Sequence, residues 1–412
     1  MLIDRSAASP NRVHSLTGAR FIAAFAVLVF HATSLGNFPS IVQRITSFGR
    51  CGVCFFFVLS GFVMTLNYCQ TFGRIRFDDY RRFFLSRLIR IAPAHVATLL
   101  LITPLAIYLN QRASLVASSS FVVPAGMAVR SWLANLFLVQ IYNPRIEFEQ
   151  MYNAPSWSVA CEVVFYLLFP FLICLLQRRA ASLRRLFAIA GAIWLVEVAA
   201  VAIAIHLLRS AKGNVDEKTF DFLIGRCPLI RLAEFAVGCC GGLIFLQRSA
   251  LESKTTANQW LLISLGLLAG GLACFGAFPH FKLTYWCLAI TPAALVGIIG
   301  LSGERHVLKQ FLESKTMLLL GESSYALYLL QWTVILFFRQ KRFLGMPGIA
   351  VVAVLGGCVA ASLLLHLYLE VPVCKFLRRR CLGTSRSLAK TTTEFPAAQH
   401  AVISLPLAQN QF

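Results

Sequence analysis

Ten stretches of this chain are apolar over close to 20 residues each, near 16–36, 52–69, 88–110, 157–177, 185–208, 228–247, 260–278, 284–301, 317–338 and 347–369. An α-helix of about 20 apolar residues covers the hydrocarbon core of a bilayer. Repetition of that length constrains the fold more than anything else here. The expected architecture is an all-α polytopic membrane protein, about ten transmembrane helices around an interior cavity, with no soluble domain. Composition agrees: 58% of residues are hydrophobic and 13% charged, against roughly 45–50% and about 25% in soluble domains.

The net charge of +21 would point to nucleic acid in a soluble protein. In a chain of spans it reads instead as loops lying against an anionic leaflet, so membrane lipid is an expected partner and nucleic acid is not. The placement of the charge sets orientation. With the N-terminus cytoplasmic, 23 of the 38 Lys and Arg fall in cytoplasmic segments and 13 in outer loops, which favours both termini inside. The first apolar run, starting near Leu16, has no small-x-small site at its end and is expected to stay as a span. Residues 1–15 then form a cytoplasmic tail, 16–380 the transmembrane domain, and 381–412, rich in Ser, Thr, Ala and Gln, a disordered cytoplasmic tail. The shorter apolar piece "SWLANLFLVQIY" at 131–142 reads as re-entrant or interfacial. No internal repeat is visible, which argues against a symmetric transporter.

Most of the 13 cysteines sit inside apolar runs such as "LICLL", where cysteine is a small hydrophobe. Cys51 and Cys54 form a C-x-x-C with no second pair at ligand spacing, so no metal is expected.

Ionisable residues inside spans are costly and therefore candidates for function. They are Arg20, His31, Glu162, Glu197, His206, Arg231, Glu234, Glu322, His366 and Glu370. Each also has a structural reading, snorkelling at a span end or pairing across the bundle. His31 lies eleven positions after Arg20, three helical turns plus about 20°, so the two share a face about 16 Å apart along the axis. That stripe suits a molecule lying lengthwise, an anionic end at the arginine and a reactive end at the imidazole. Glu162, five residues into a span running the other way, is expected at the depth of His31, where a carboxylate would fix the imidazole as a general base. At the cytoplasmic entry of the third span, "DDYRRFFLSRLIRIAP" supplies Arg81, Arg82, Arg87 and Arg90. Arg87 and Arg90 share one helical face and suit phosphate; Arg81 and Arg82 fit plain positive-inside topology.

These residues resemble the acyltransferase 3 family of integral membrane O-acyltransferases over roughly 14–380. Arg20 and His31 match its Arg, ten residues, His signature. "GVCFFFVLSGFVM" is similar to its Gly-Val-x-x-Phe-Phe-Val-Leu-Ser-Gly-Phe element, and "RLIRIAP" to Arg-x-x-Arg-Ile-x-Pro. "WSVACE" matches Trp-Ser-x-x-x-Glu through Trp157, Ser158 and Glu162. "RLAEFAVG" resembles an Arg-x-x-Glu-Phe element at Arg231, Glu234 and Phe235. "LGESSYALYLLQW" resembles Leu-Gly-x-x-Ser-Tyr-x-Leu-Tyr-Leu, with Tyr325 and Tyr328, and "EVPV" a terminal Glu-x-Pro. Two positions depart: Cys54 stands where many members carry Asp or Ser, and Gln331 where a His-x-Pro is common.

The resemblance implies an acyltransferase, moving acyl groups other than amino-acyl groups, in a bacterial inner (plasma) membrane. It implies acyl-CoA, acetyl-CoA by analogy, as donor substrate on the cytoplasmic side, no bound cofactor, and transfer to a hydroxyl of a glycan or lipid-linked sugar such as exopolysaccharide or lipopolysaccharide. His31 and Glu162 would be catalytic. Arg20, Arg87, Arg90, Trp157, Ser158, Arg231, Glu234, Tyr325, Tyr328 and Gln331 would bind substrate, with Trp157 and Tyr152 as sugar-stacking aromatics. The alternative is a transporter or flippase of a lipid-linked glycan, its intramembrane charges lining a path.

Overall fold

The computed structural model describes residues 13–115, 123–143, 145–179, 182–210, 225–250, 263–265, 267, 283–303, 307–339 and 345–383. Most of the span expected at 260–278, the tails at 1–12 and 384–412, and most of the loop at 209–227 lie outside them. Among the described residues the chain is helical, with no β-strand. Seven helical segments there are long and apolar enough to cross a membrane: His14–Leu35, Ser40–Tyr68, Phe77–Arg112, Ser156–Arg179, Leu183–Ala204, Pro228–Gln247 and Gly348–Leu382. Two shorter apolar helices, Ile290–Ser302 and Ser324–Phe338, fall on two further expected spans.

In chain order the helices are α1 (His14–Ala32), α2 (Ser40–Ser47), α3 (Cys51–Tyr68), α4 (Phe77–Leu115), α5 (Ala125–Leu136), α6 (Ile146–Gln150), α7 (Ser156–Arg179), α8 (Leu183–Ser210), α9 (Pro228–Ala250), α10 (Leu283–Ser302), α11 (Val307–Leu312), α12 (Lys315–Glu322), α13 (Ser324–Phe338), α14 (Gly348–Leu365) and α15 (Val371–Leu382). The span expected unbroken at 317–338 is two helices, because the backbone resets at Glu322–Ser323. There Ser324 Oγ donates to the Gly321 carbonyl at 2.7 Å. Gly321 abuts the Thr17 carbonyl of α1 so closely that a Cβ has no room.

Helices in lipid gain little from burying apolar surface against one another, so close backbone approach and interhelical hydrogen bonds hold them. α3 and α9 interlock in this way: Gly61 lies against the Phe235 carbonyl, and Gly238 against that of Val58. Around this joint Phe57 meets Phe165 edge to face at 5.1 Å and Phe165 stacks on Phe235 at 5.0 Å, tying α3, α7 and α9 together.

α4 carries Pro93 inside the helix. Proline has no N–H, so the Ile89 carbonyl loses its helical donor. Cys374 of α15 supplies one, its Sγ 3.2 Å from Ile89 O. Two residues on, the Tyr325 hydroxyl of α13 donates to the Ile91 carbonyl at 3.0 Å. The proline thus makes a seam where α13 and α15 dock on α4.

The segment 131–142 buries one face, Ser131, Asn135, Leu138, Gln140 and Ile141, and leaves Leu133, Phe137, Val139 and Tyr142 exposed. His95 Nε2 bonds the Asn135 carbonyl at 2.8 Å, Ser156 Oγ donates to Asn135 Oδ1 at 3.1 Å, and Gln140 Nε2 donates to Ser156 Oγ at 3.0 Å. Asn153 reaches Thr98 Oγ1 at 3.2 Å and the Leu329 carbonyl at 3.3 Å. Asn135, Gln140, Asn153 and Ser156 are all buried. This polar lattice fixes the first turn of α7, which carries Trp157 and Ser158.

Candidate active site

Two cavities open on opposite ends of α1. One, of about 140 Å³, is lined by Arg20, Arg87, Arg90, Glu162, Tyr166 and Tyr325, among others. The other, of about 900 Å³, is lined by His31, Arg50, Trp157, Arg226, Arg231, Trp332 and Arg339, among others. Arg20 and His31 therefore face the interior from one helix, as their spacing predicts.

Glu162 corrects the expectation. It lies in the cavity of the arginines and not in that of His31. The depth argument counted residues from the start of the span as if that start were the membrane surface. α7 instead begins at a buried serine, Ser156, held down by the lattice above. Six residues further on, about 9 Å along the axis, Glu162 has passed into the other cavity. There Tyr166 Oη donates to Glu162 Oε2 at 2.7 Å, and Arg20, Arg87 and Arg90 are the nearby cations.

Each arginine of this cavity is held differently. Arg87 donates to Tyr68 Oη at 2.9 Å while its Nε is buried without a partner. Arg90 stands over the Tyr325 ring at 5.7 Å and ion-pairs with Glu370. Glu370 closes a π-helical turn, His366–Glu370, and its other oxygen bonds His366 Nδ1 at 2.9 Å. π-turns recur at functional sites because the extra residue re-aims side chains. Arg20 makes no hydrogen bond or ion pair among the described residues. Three guanidiniums meet two carboxylates, Glu162 and Glu370, so the cavity favours an anion. Arg81 and Arg82 are exposed and belong to neither cavity.

At the other end, the His31 ring lies 5.4 Å from that of Trp332, edge to face, and 5.0 Å from Phe30. Gln331 is fully buried and faces His31 from α13. Its Nε2 donates to the Tyr328 carbonyl at 3.0 Å. His31 Nδ1 and Gln331 Oε1 are both buried without a hydrogen-bond partner. Gln331 lines neither cavity. Trp157 lies under two guanidiniums, Arg226 at 5.6 Å and Arg231 at 5.9 Å from its ring centroid. Arg231 bonds Glu234 at 2.7 Å and the Gly225 carbonyl at 2.7 Å. Cys54 Sγ donates to Glu234 Oε1 at 3.0 Å. Glu234 is fully buried, lines neither cavity and holds Arg231 by its ion pair. Tyr152 is unavailable for stacking: it is buried, and its hydroxyl donates to the Ala128 carbonyl at 3.2 Å.

The cavities share a wall. Ser158 Oγ donates to Tyr328 Oη at 2.8 Å, and the Tyr328 hydroxyl donates to the Pro155 carbonyl at 3.1 Å. Sequence reasoning missed Tyr166, Arg226 and Trp332, and left Glu370 without a partner. Tyr166 had a signal, since it stands four residues after Glu162, one helical turn away. Among the described residues Cys51 and Cys54 form no disulfide.

Arg226 is fixed from outside the spans by an ion pair to Glu149 of α6, whose side chain is 1% exposed. Burial pushes the Glu149 carboxyl up from 4.5 to about 7, with the Arg226 charge holding it back in part. A carboxyl raised on folding binds protons that the unfolded chain has released, so its contribution to stability falls as pH rises from about 4.5 to about 7. Glu149→Gln removes that slope. The melting temperature of the variant, relative to the unsubstituted protein, is expected to rise between about pH 5 and about pH 8. Thermal unfolding in detergent at the two pH values checks this, and a flat or falling difference contradicts it.

These features define a helical membrane protein with two polar cavities meeting at a common wall. Its family follows from comparison with known sequences. The acyltransferase 3 family, described as an acyltransferase domain, matches residues 13–367. The chain belongs to that family and is a membrane acyltransferase. It is 28% identical over 408 residues to the acyltransferase MdmB of Streptomyces mycarofaciens, covering 95% of this chain and 98% of that one. It is 23% identical over 342 residues to the O-acetyltransferase OatA of Staphylococcus aureus (strain NCTC 8325 / PS 47), covering 81% of this chain and 52% of OatA. A Bacillus subtilis (strain 168) protein, YrhL, named provisionally as a peptidoglycan O-acetyltransferase, is 23% identical over 380 residues, covering 88% of this chain and 55% of YrhL. The chain thus spans nearly all of MdmB but about half of the other two. No solved structure matches.

Proposed function

We propose that this protein transfers an acyl group, acetyl in the simplest case, from acyl-CoA to a hydroxyl of a glycan or lipid-linked sugar. The observation that carries this reading is the pair of cavities on α1: an unpaired guanidinium, Arg20, at one and an imidazole at the other, with one wall between. The arginines hold the phosphates of the coenzyme by charge-assisted hydrogen bonds. Glu162, buttressed by Tyr166, offsets part of their mutual repulsion. The pantetheine arm runs toward the wall. The acceptor enters the His31 cavity, with Trp157 and Trp332 offering faces to a sugar ring.

His31, protonated at Nδ1 and steadied by Gln331 Oε1, presents Nε2 as the base. It takes the acceptor hydroxyl proton as that oxygen attacks the thioester carbon. The C–O bond forms, the C–S bond breaks, and the proton passes to the leaving thiolate as free coenzyme thiol. A bacterial inner membrane with cytoplasmic termini agrees with the 23 to 13 division of basic residues and puts the three-arginine cavity on the cytoplasmic side, where acyl-CoA is. OatA and YrhL, by their names, support an O-acyl product, and the name of YrhL supports a glycan acceptor.

The test supplies purified protein with labelled acetyl-CoA and either lipid-linked oligosaccharide or peptidoglycan fragments. Alkali-labile label on the acceptor, with one free thiol per label, is the expected result. Movement of the glycan across vesicles without acylation overturns the reading in favour of a flippase.

A further inference from the structure

We infer that Val53 sets the length of the acyl group this enzyme accepts, acting against a fixed wall formed by Tyr328. The inference rests on the acyl-transfer reading above. Among the described residues, Val53 and Tyr328 alone line both cavities. The boundary can be followed along each helix. At the start of α3, Arg50 and Cys54 line the His31 cavity, Phe56 and Phe57 the arginine cavity and Val53 both, so the boundary runs past Val53. On α7, Trp157 faces the first and Ser158 the second, so it crosses between them. A thioester arriving from the arginine side and a hydroxyl held at His31 meet at this boundary, and the acyl chain must lie there.

The two wall residues differ in freedom. Tyr328 is locked by its hydrogen bonds to Ser158 and Pro155, at 2.8 and 3.1 Å, and its ring meets that of Phe56 at 6.1 Å. Turning it breaks both bonds. Val53 is half-buried with an apolar side chain at the junction, so its volume alone decides how much room remains. One methylene more or less in a closed apolar pocket changes discrimination by roughly 10–200-fold. An enzyme with valine here should prefer short chains.

The experiment measures kcat/KM for butyryl-CoA and acetyl-CoA with one acceptor, in the unsubstituted protein, Val53→Ala and Val53→Ile. Each ratio is taken within one preparation, so the folded fraction cancels. Val53→Ala should raise the butyryl-to-acetyl ratio by about tenfold or more, and Val53→Ile should lower it. Equal ratios in all three proteins overturn the inference and leave the acyltransferase reading intact. Failure of the unsubstituted protein to transfer any acyl group overturns both.

Discussion

Replacing His31 by alanine is expected to lower acyl transfer by about 10²–10⁴-fold, the range attributable to a positioned general base, while the protein still inserts and melts within a few degrees of the parent. The size of the effect follows from what else faces that cavity. Among its described lining residues, Arg50, Arg226, Arg231 and Arg339 are guanidiniums that do not accept protons. Tyr328 uses its hydroxyl on the Pro155 carbonyl, and the Cys54 thiol is turned to Glu234. No other group there is placed to take the acceptor's proton. His31→Gln keeps a polar side chain of similar reach but no base, and should fall as far as the alanine variant. The check is the initial rate of labelled acetyl transfer at saturating donor, with melting in detergent as the control for folding. A histidine-free variant working near the parental rate would remove the imidazole from the mechanism and leave the cavity as a binding chamber only.

The sequence held the spans because each is a long apolar run with its own local signal. It also held the residues of the arginine cavity, since Arg20, Arg87, Arg90, Glu162 and Tyr325 were all singled out and the structure gathers them. What it could not carry were relations between distant segments. Arg90 and Glu370 were both visible, yet nothing local says that they pair across the bundle. The lattice around Asn135, Asn153 and Ser156 depends on partners as remote as Leu329. Without it, α7 seems to start at the membrane surface, and Glu162 is then assigned to the wrong end of the molecule. The helix break at Glu322–Ser323 had no proline to announce it; it lies beside the close approach of Gly321 to α1. Gln331 was singled out by its motif position, whereas its full burial beside His31 shows only in the fold.

Loss of a guanidinium from the other cavity should weaken the donor without touching the chemical step. Arg20→Ala is expected to raise the KM for acyl-CoA by about 10–100-fold, the equivalent of one hydrogen bond to a charged group, with kcat at saturating donor changed by only a few-fold. Arg20 is the clearest case because among the described residues it makes no hydrogen bond or ion pair, Glu162 acting on it only from across the cavity. Arg90→Ala adds a second cost, since it abandons the fully buried Glu370, whose remaining contact is His366. Its KM should rise at least as far and its melting temperature should fall. Glu370→Gln separates the two effects: the cation stays, but its tether weakens, so the KM rises less than in Arg90→Ala. Arg81→Ala is the control, because an exposed arginine outside both cavities should leave the KM where it was. Steady-state rates against acyl-CoA concentration for the four variants decide the matter. If Arg20→Ala lowered kcat and kcat/KM equally, with KM unmoved, the guanidinium would be acting on the transition state, and the division of α1 into a binding end and a reacting end would have to be given up.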